Sequence, residues 1–218
     1  MQGDANGSAQ SFATFSSLRR SFRRRWDSEM KNQKIRATLI VAASVFIGSV
    51  VLAAQDRFNV KSPNGIAFSE FKGYDAWQVI APSQTDEAAG CMTGKCVKVI
   101  SGNAAMIKAY IAGIPANGKS VPDGAAIAKI EWSKESDTTS PYAVTVPGPL
   151  NDISFMVKDS KRFPDTNGWG YAQFRYDKTS GTFKPFGNGA GFAKATCHQC
   201  HINGAKSHDY VYTKYAQR

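Results

Sequence analysis

The sequence predicts an α+β fold, mainly an antiparallel β-sheet with a few short helices. Two observations predict it. From Cys96 onward, segments that alternate apolar and polar residues recur at strand length, and turns bearing Gly or Pro separate them. Only short stretches carry the three-to-four-residue spacing of a helix. At 218 residues, 42% of them hydrophobic and 11% aromatic, the chain is long enough for one domain with a real core, or for two. It contains no internal repeat.

In chain order, Phe71-Lys-Gly-Tyr74-Asp-Ala-Trp77 spaces aromatics three apart and predicts a short helix before Val79-Ile80. Cys96-Val-Lys-Val-Ile-Ser101 alternates as a strand. Asn103 caps a helix with Met106, Ile107, Tyr110 and Ile111 on one face, ended by Gly113. Val121-Pro-Asp-Gly124 is a turn. Ala125 to Trp132 is a strand with Ala125, Ile127, Lys129 and Glu131 on one face and Ala126, Ala128, Ile130 and Trp132 on the other. Residues 133–149, rich in Ser, Thr and Pro, are expected to form a loop. Ile153–Lys158 and Tyr171–Tyr176 are two further strands. Between them lie a short helical or turn segment at Asp159–Phe163 and a turn at Asp165–Gly168.

The formal charge of +10 is unevenly placed. Residues 1–54 hold eight Lys/Arg against three acidic residues, half of the whole surplus. That bias belongs to a targeting segment, so nucleic-acid binding is discounted. Residues 1–29 are Ser-, Gly- and Arg-rich and read as disordered, or as untranslated if Met30 is the true start. From Met30 a basic stretch precedes 18 uncharged residues, Ala37 to Ala54. Residues 30–54 thus read as a signal peptide, with the small residues Ala53 and Ala54 near the cleavage point, or as a membrane anchor through residues 37–54. Either way residues 55–218 are exported, and the expected location is the periplasm.

An oxidising compartment pairs its cysteines. Cys91-Met-Thr-Gly-Lys-Cys96 closes a small disulfide loop in this reading, two separate buried thiols being the alternative. The other pair lies in Thr196-Cys197-His198-Gln199-Cys200-His201, a C-x-x-C-H motif. The motif has the spacing that attaches a c-type haem. Two thiols one turn apart form thioethers to the porphyrin, and the next histidine ligates the iron. A redox dithiol, half a zinc site or a disulfide are the competing readings. Zinc is disfavoured because His198, His201 and His208, the only histidines, crowd into this one tail. Only 17 residues follow His201, none of them Met, unlike the common electron carriers whose motif is N-terminal.

From roughly Phe71 to Tyr215 the chain resembles the cytochrome P-460 family, which is related to the β-sheet form of cytochrome c′. Tyr74-x-x-Trp77, Pro122-Asp-Gly-Ala-Ala-Ile-Ala-Lys129-Ile-Glu-Trp132, Phe155-Met-Val-Lys-Asp-Ser-Lys-Arg-Phe163, Trp169-Gly-Tyr171 and Cys197-x-x-Cys200-His201 carry the resemblance. It implies a dimeric, β-rich protein with one covalent haem c, His201 below the iron and an open face above. It further implies that Lys129 corresponds to the lysine bonded to the porphyrin edge in the family's hydroxylamine-oxidising members. From the residues alone, Lys129 is either an amine partly buried beside Ala125 and Ile127, where burial frees the neutral, nucleophilic form, or an exposed strand lysine paired with Glu131.

The implied function is oxidation of hydroxylamine or a related small nitrogen compound, with a redox-partner cytochrome receiving the electrons. The alternatives are a cytochrome c′-like binder of nitric oxide or other diatomic gases without turnover, and a six-coordinate electron-transfer cytochrome. The family's enzymes place a basic residue over the iron from the strand before the first helix. Here Lys98 is the only basic residue on Val97–Val99, and its direction is open. Glu131, Phe155, Met156 and Arg175 are candidates to line the distal pocket. Met92, Met106 and Met156 are candidate sixth ligands under the electron-transfer reading.

Overall fold

The computed structural model describes residues 57–87 and 94–217, all within one unit, Ala53–Arg218. The readings made for residues 1–54, and for Cys91 and Met92, fall outside the described residues. Among the described residues no helix is long and apolar enough to cross a membrane.

Six strands form one antiparallel sheet in sequence order: β1 (Gln78–Thr85), β2 (Cys96–Gly102), β3 (Ala126–Asp137), β4 (Val144–Lys158), β5 (Trp169–Asp177) and β6 (Thr182–Pro185). Each strand pairs antiparallel with its chain neighbour. A single helix, α1 (Ala104–Ile111), joins β2 to β3. Asn103 caps it, its Oδ1 accepting from the backbone N–H of Met106 at 3.0 Å and also from that of Ala126 at 3.1 Å. One side chain thus starts the helix and ties it to β3.

The two-faced reading of β3 holds. Ala126 and Ala128 enter an aromatic core with Phe68, Phe71, Tyr74, Ile153, Phe155, Phe174 and Phe183. Phe68 is its centre, with its ring 4.9 Å from that of Phe174 and 5.1 Å from that of Phe183. Ala125 and Ile127 face a second core on the opposite side of the sheet, built with Ile100, Met106, Ile107, Trp169, Tyr171, Tyr210 and Val211. The residues leading to β1 contribute to the first core. Helix α1 and the C-terminal segment contribute to the second.

Three expectations are corrected. Residues 133–149 are mostly strand, because β3 and β4 continue as a paired arm out to Asp137 and Val144. Composition hid this. In that arm Pro147 stands opposite Lys134 and the outer residues alternate between half-buried and exposed, an edge-like setting that tolerates proline. The helix expected at Phe71–Trp77 is two 3₁₀ turns, Phe68–Phe71 and Tyr74–Ala76, divided at Gly73, whose φ of 82° no continuing helix permits. Ile111 is 73% exposed rather than part of the buried stripe. The chain leaves the helix at once through Gly113 (φ 78°), so the next turn needed to extend that stripe is missing. The sequence reading also did not anticipate β6.

Candidate functional site

After β6 the chain forms a π-helical turn, Ala193–His198, that runs directly into α2 (Gln199–Ala205). Cys197, Cys200 and His201 stand at i, i+3 and i+4, which places them on one helical face. Both thiols are free. Cys197 packs against the second core, and Cys200 is exposed. Burial raises the Cys197 pKa, and the nearby Cys200 adds to that, while the Lys129 ammonium opposes it.

His201 is held in one tautomer. Its Nδ1 lies 2.6 Å from the carbonyl oxygen of Tyr210. A carbonyl can only accept, so Nδ1 carries the proton and the Nε2 lone pair is left to bind a metal. The ring sits between Tyr171 and Tyr212, with centroids 5.1 and 4.9 Å away. Burial lowers the His201 pKa against the opposing pull of the Tyr210 carbonyl, which favours the neutral imidazole a metal requires. His198 differs. It is 3% exposed, with Nδ1 3.0 Å from the Tyr171 hydroxyl and Nε2 3.1 Å from Asn167 Oδ1. Both its nitrogens are committed to packing the helix onto the sheet. Gly204 leaves room for the Tyr212 ring, whose hydroxyl donates to the Cys200 carbonyl at 2.6 Å.

The sheet supplies the rest. Residues directly opposite each other on paired strands share a face. One such row is Ile100, Lys129, Ser154 and Gln173, and the next is Lys98, Glu131, Asp152 and Arg175. Lys129 follows Ile127 on the face that carries the second core, and its charge acts on both Cys197 and His201. The sequence pairing of Lys129 with Glu131 is present as well, with Nζ 3.6 Å from Oε2.

Lys98 points to this same face, 3.8 Å from the same Glu131 oxygen, which answers the question of its direction. Its pKa is lowered, first by burial and then by Lys129. Asp152 is fully buried, and burial raises its pKa against the pull of Lys129. Ser154 Oγ donates to its Oδ1 at 3.1 Å, while Oδ2 has no hydrogen-bond partner among the described residues.

The other candidates divide by face. Glu131, Met156 and Arg175 share the Lys129 side, with Met156 packed in the second core and the Arg175 guanidinium 3.9 Å from the Phe186 ring centroid. Phe155 does not line the site. It lies on the opposite face, stacked on Phe71 at 4.0 Å. Met106 is wholly buried in the second core and is no candidate ligand. Cys96 is disulfide-bonded, and its expected partner Cys91 lies outside the described residues. Asp152 was missed because the supposed loop obscured how far β4 extends. The alternation Asp152, Ser154, Met156 was the available signal.

The arrangement fits a haem held at the helix. It offers two free thiols and an imidazole on one helical face, with the Nε2 of that imidazole open. It adds a buried carboxylate oxygen lacking a hydrogen-bond partner on the facing sheet. Among the described residues, no three His, Cys, Asp or Glu side chains converge to hold a bare metal ion. No curated protein matches the chain. A family model described as Cytochrome P460 matches residues 71–213.

Proposed function

The chain belongs to the cytochrome P460 family, a family of haem-binding cytochromes, and from that premise we propose an exported mono-haem c-type cytochrome that oxidises hydroxylamine or a related small nitrogen compound. Cys197 and Cys200 are the thioether residues and His201 is the proximal iron ligand. Lys129 is the residue bonded to the porphyrin edge. When bound, the haem supplies the redox centre that takes electrons from the nitrogen compound and passes them to a partner cytochrome. The protein works in the periplasm as a homodimer, with the Cys91–Cys96 disulfide closing the loop before β2.

The chain's own residues perform defined tasks in this reading. The Tyr210 carbonyl keeps the proton on His201 Nδ1, so Nε2 stays a ligand. Glu131, buried between Lys98 and Lys129, holds the two ammonium groups on this face beside Asp152, which makes it a polar setting for a small nitrogen compound. Asp152, whose carboxyl burial shifts toward neutrality, is placed to take up at Oδ2 a proton released on oxidation. The single observation that carries the proposal is the pair of free thiols, Cys197 and Cys200, on one helical face with a His201 whose Nδ1 is hydrogen-bonded to the Tyr210 carbonyl.

The test is the optical spectrum of the purified protein with and without hydroxylamine and an electron acceptor, paired with mass spectrometry of its haem peptide. Turnover, and a peptide joining Cys197, Cys200 and Lys129, support the enzyme. A low-spin spectrum indifferent to both hydroxylamine and nitric oxide refutes it and leaves an electron carrier. The Lys129–Glu131 ion pair favours one second reading, since an amine engaged by a carboxylate is a poor nucleophile. In that reading Lys129 is recovered in a free peptide, and the protein binds nitric oxide without turnover.

A further inference from the structure

The motif segment Phe155–Phe163 contains Lys158, to which the proposed function assigns no role. Lys158 is 4% exposed and sits at the end of β4. Its Nζ donates to both carboxylate oxygens of Asp209, at 3.2 and 3.0 Å, and to the backbone carbonyl of Asn167 at 2.9 Å. It also lies 5.0 Å from the centroid of the Trp169 ring. Asp209 Oδ2 accepts in addition from the Val121 N–H at 2.8 Å. The two residues that this one ammonium joins, Asn167 through its backbone carbonyl and Asp209 through its carboxylate, belong to the segments that hold the helix histidines. Asn167 supplies the side-chain oxygen on His198 Nε2, and Asp209 immediately precedes the Tyr210 carbonyl on His201 Nδ1.

The local backbone needs such a clamp. Asp209 and Tyr210 have φ of 46° and 65°, and Asn167 has φ of 55°. Non-glycine residues occupy this left-handed region at a cost, and persist there where surrounding contacts hold them. Two consecutive left-handed residues turn the chain sharply after Lys206–His208 and aim the Tyr210 carbonyl back at α2. Backbone bonds from the Tyr210 N–H to the Ala205 carbonyl (2.8 Å) and from the Val211 N–H to the His208 carbonyl (3.0 Å) close the turn, and the ion pair adds the side-chain anchor that ties it to β4.

We infer that Lys158 and Asp209 form a buried clamp that positions the Tyr210 carbonyl, and through it fixes the tautomer and ligand strength of His201. They are positioning residues and touch no reacting atom. The inference rests on His201 being the iron ligand. A hydrogen bond to the far nitrogen raises the basicity of a ligating imidazole, and loss of such a partner weakens the metal bond.

The experiment compares full-length protein carrying Lys158→Met or Asp209→Asn with wild type and with a Glu70→Gln control. Glu70 belongs to a different ion pair, with Arg162, and makes no bond to the helix or the turn. The first readout is the iron–histidine stretching band of the ferrous haem protein. It shifts to lower frequency in the Lys158 and Asp209 variants and stays at the wild-type position in the control. The second is the ¹⁵N spectrum of His201 in haem-free protein, where the Nδ1-protonated tautomer dominates in wild type and is depleted in the two clamp variants.

A band and tautomer unmoved in both clamp variants overturn the inference, as does an equal shift in the Glu70 control, which would mark general loosening. Absence of covalent haem from wild-type protein refutes the proposed function instead. The tautomer readout then decides the clamp by itself.

Discussion

Glu131 is 1% exposed between two lysines, and replacing it with Gln tests whether the site is an electrostatic unit. The carboxylate lies 3.8 Å from Lys98 Nζ and 3.6 Å from Lys129 Nζ. At an effective dielectric constant near 20, each attraction amounts to about 4.5 kcal/mol. Lys129 is 32% exposed, so solvent screens its share more than that of Lys98 at 15%. Burying the carboxylate costs several kcal/mol, so the intact cluster contributes little net stability. Breaking it is another matter. Glu131→Gln leaves two half-buried ammonium groups facing each other and is expected to destabilise the protein by about 1–3 kcal/mol, less than the roughly 3–5 kcal/mol of a fully buried pair because solvent screens both lysines.

The same change pushes the Lys98 pKa below its already lowered value, since Glu131 is one of the groups holding it up. The assay is urea unfolding of the haem protein for Glu131→Gln, Lys98→Met and the double variant. A coupling energy of about 1–3 kcal/mol is expected for residues that share one network. Additive effects within about 0.5 kcal/mol would mean that the two charges do not act on each other, and the reasoning fails.

Three further outcomes follow from the geometry. Phe155→Ala removes a 2% exposed ring stacked on Phe71 and should cost about 3–5 kcal/mol in urea unfolding, with the position of the Soret band unchanged, because that ring is on the far face of the sheet. The buried Asp152 carboxyl has a raised pKa, so above its ordinary 3.8 the unfolded chain releases a proton that the folded chain retains. Its contribution to stability therefore declines as pH rises through the interval between 3.8 and the raised value. Melting temperatures of wild type and Asp152→Asn should diverge with pH in that interval, and parallel curves would contradict the burial argument. Replacing both Cys197 and Cys200 with Ser should leave haem that acid–acetone extracts from the protein, whereas the parent retains its colour in the pellet.

Much of the site was legible because its signals are local. C-x-x-C-H needs only helical periodicity to bring two thiols and an imidazole onto one face. The strand Ala125–Trp132 alternates clearly enough to put Lys129 and Glu131 beside Ile127, and the Asn103 cap announces α1. Where local signals conflicted, reading failed. Ser, Thr and Pro concealed the outer arm of the β3–β4 hairpin, because pairing with a partner strand outweighs weak propensity. Phe155 was assigned to the wrong side because its face depends on the register of β4, which the mistaken loop left unanchored.

The sequence alone therefore determined the strand-rich class, the helical face with its two thiols and histidine, and the lysine-bearing strand. Each depends on spacing within one segment. Only the tertiary structure decided that Lys98 joins Lys129 around Glu131, that Asp152 lies buried beside them, and that His201 keeps Nε2 open. Those facts come from strand register and from contacts between distant residues. Lys158 meets Asp209 across 51 positions of chain, and no periodicity encodes that encounter.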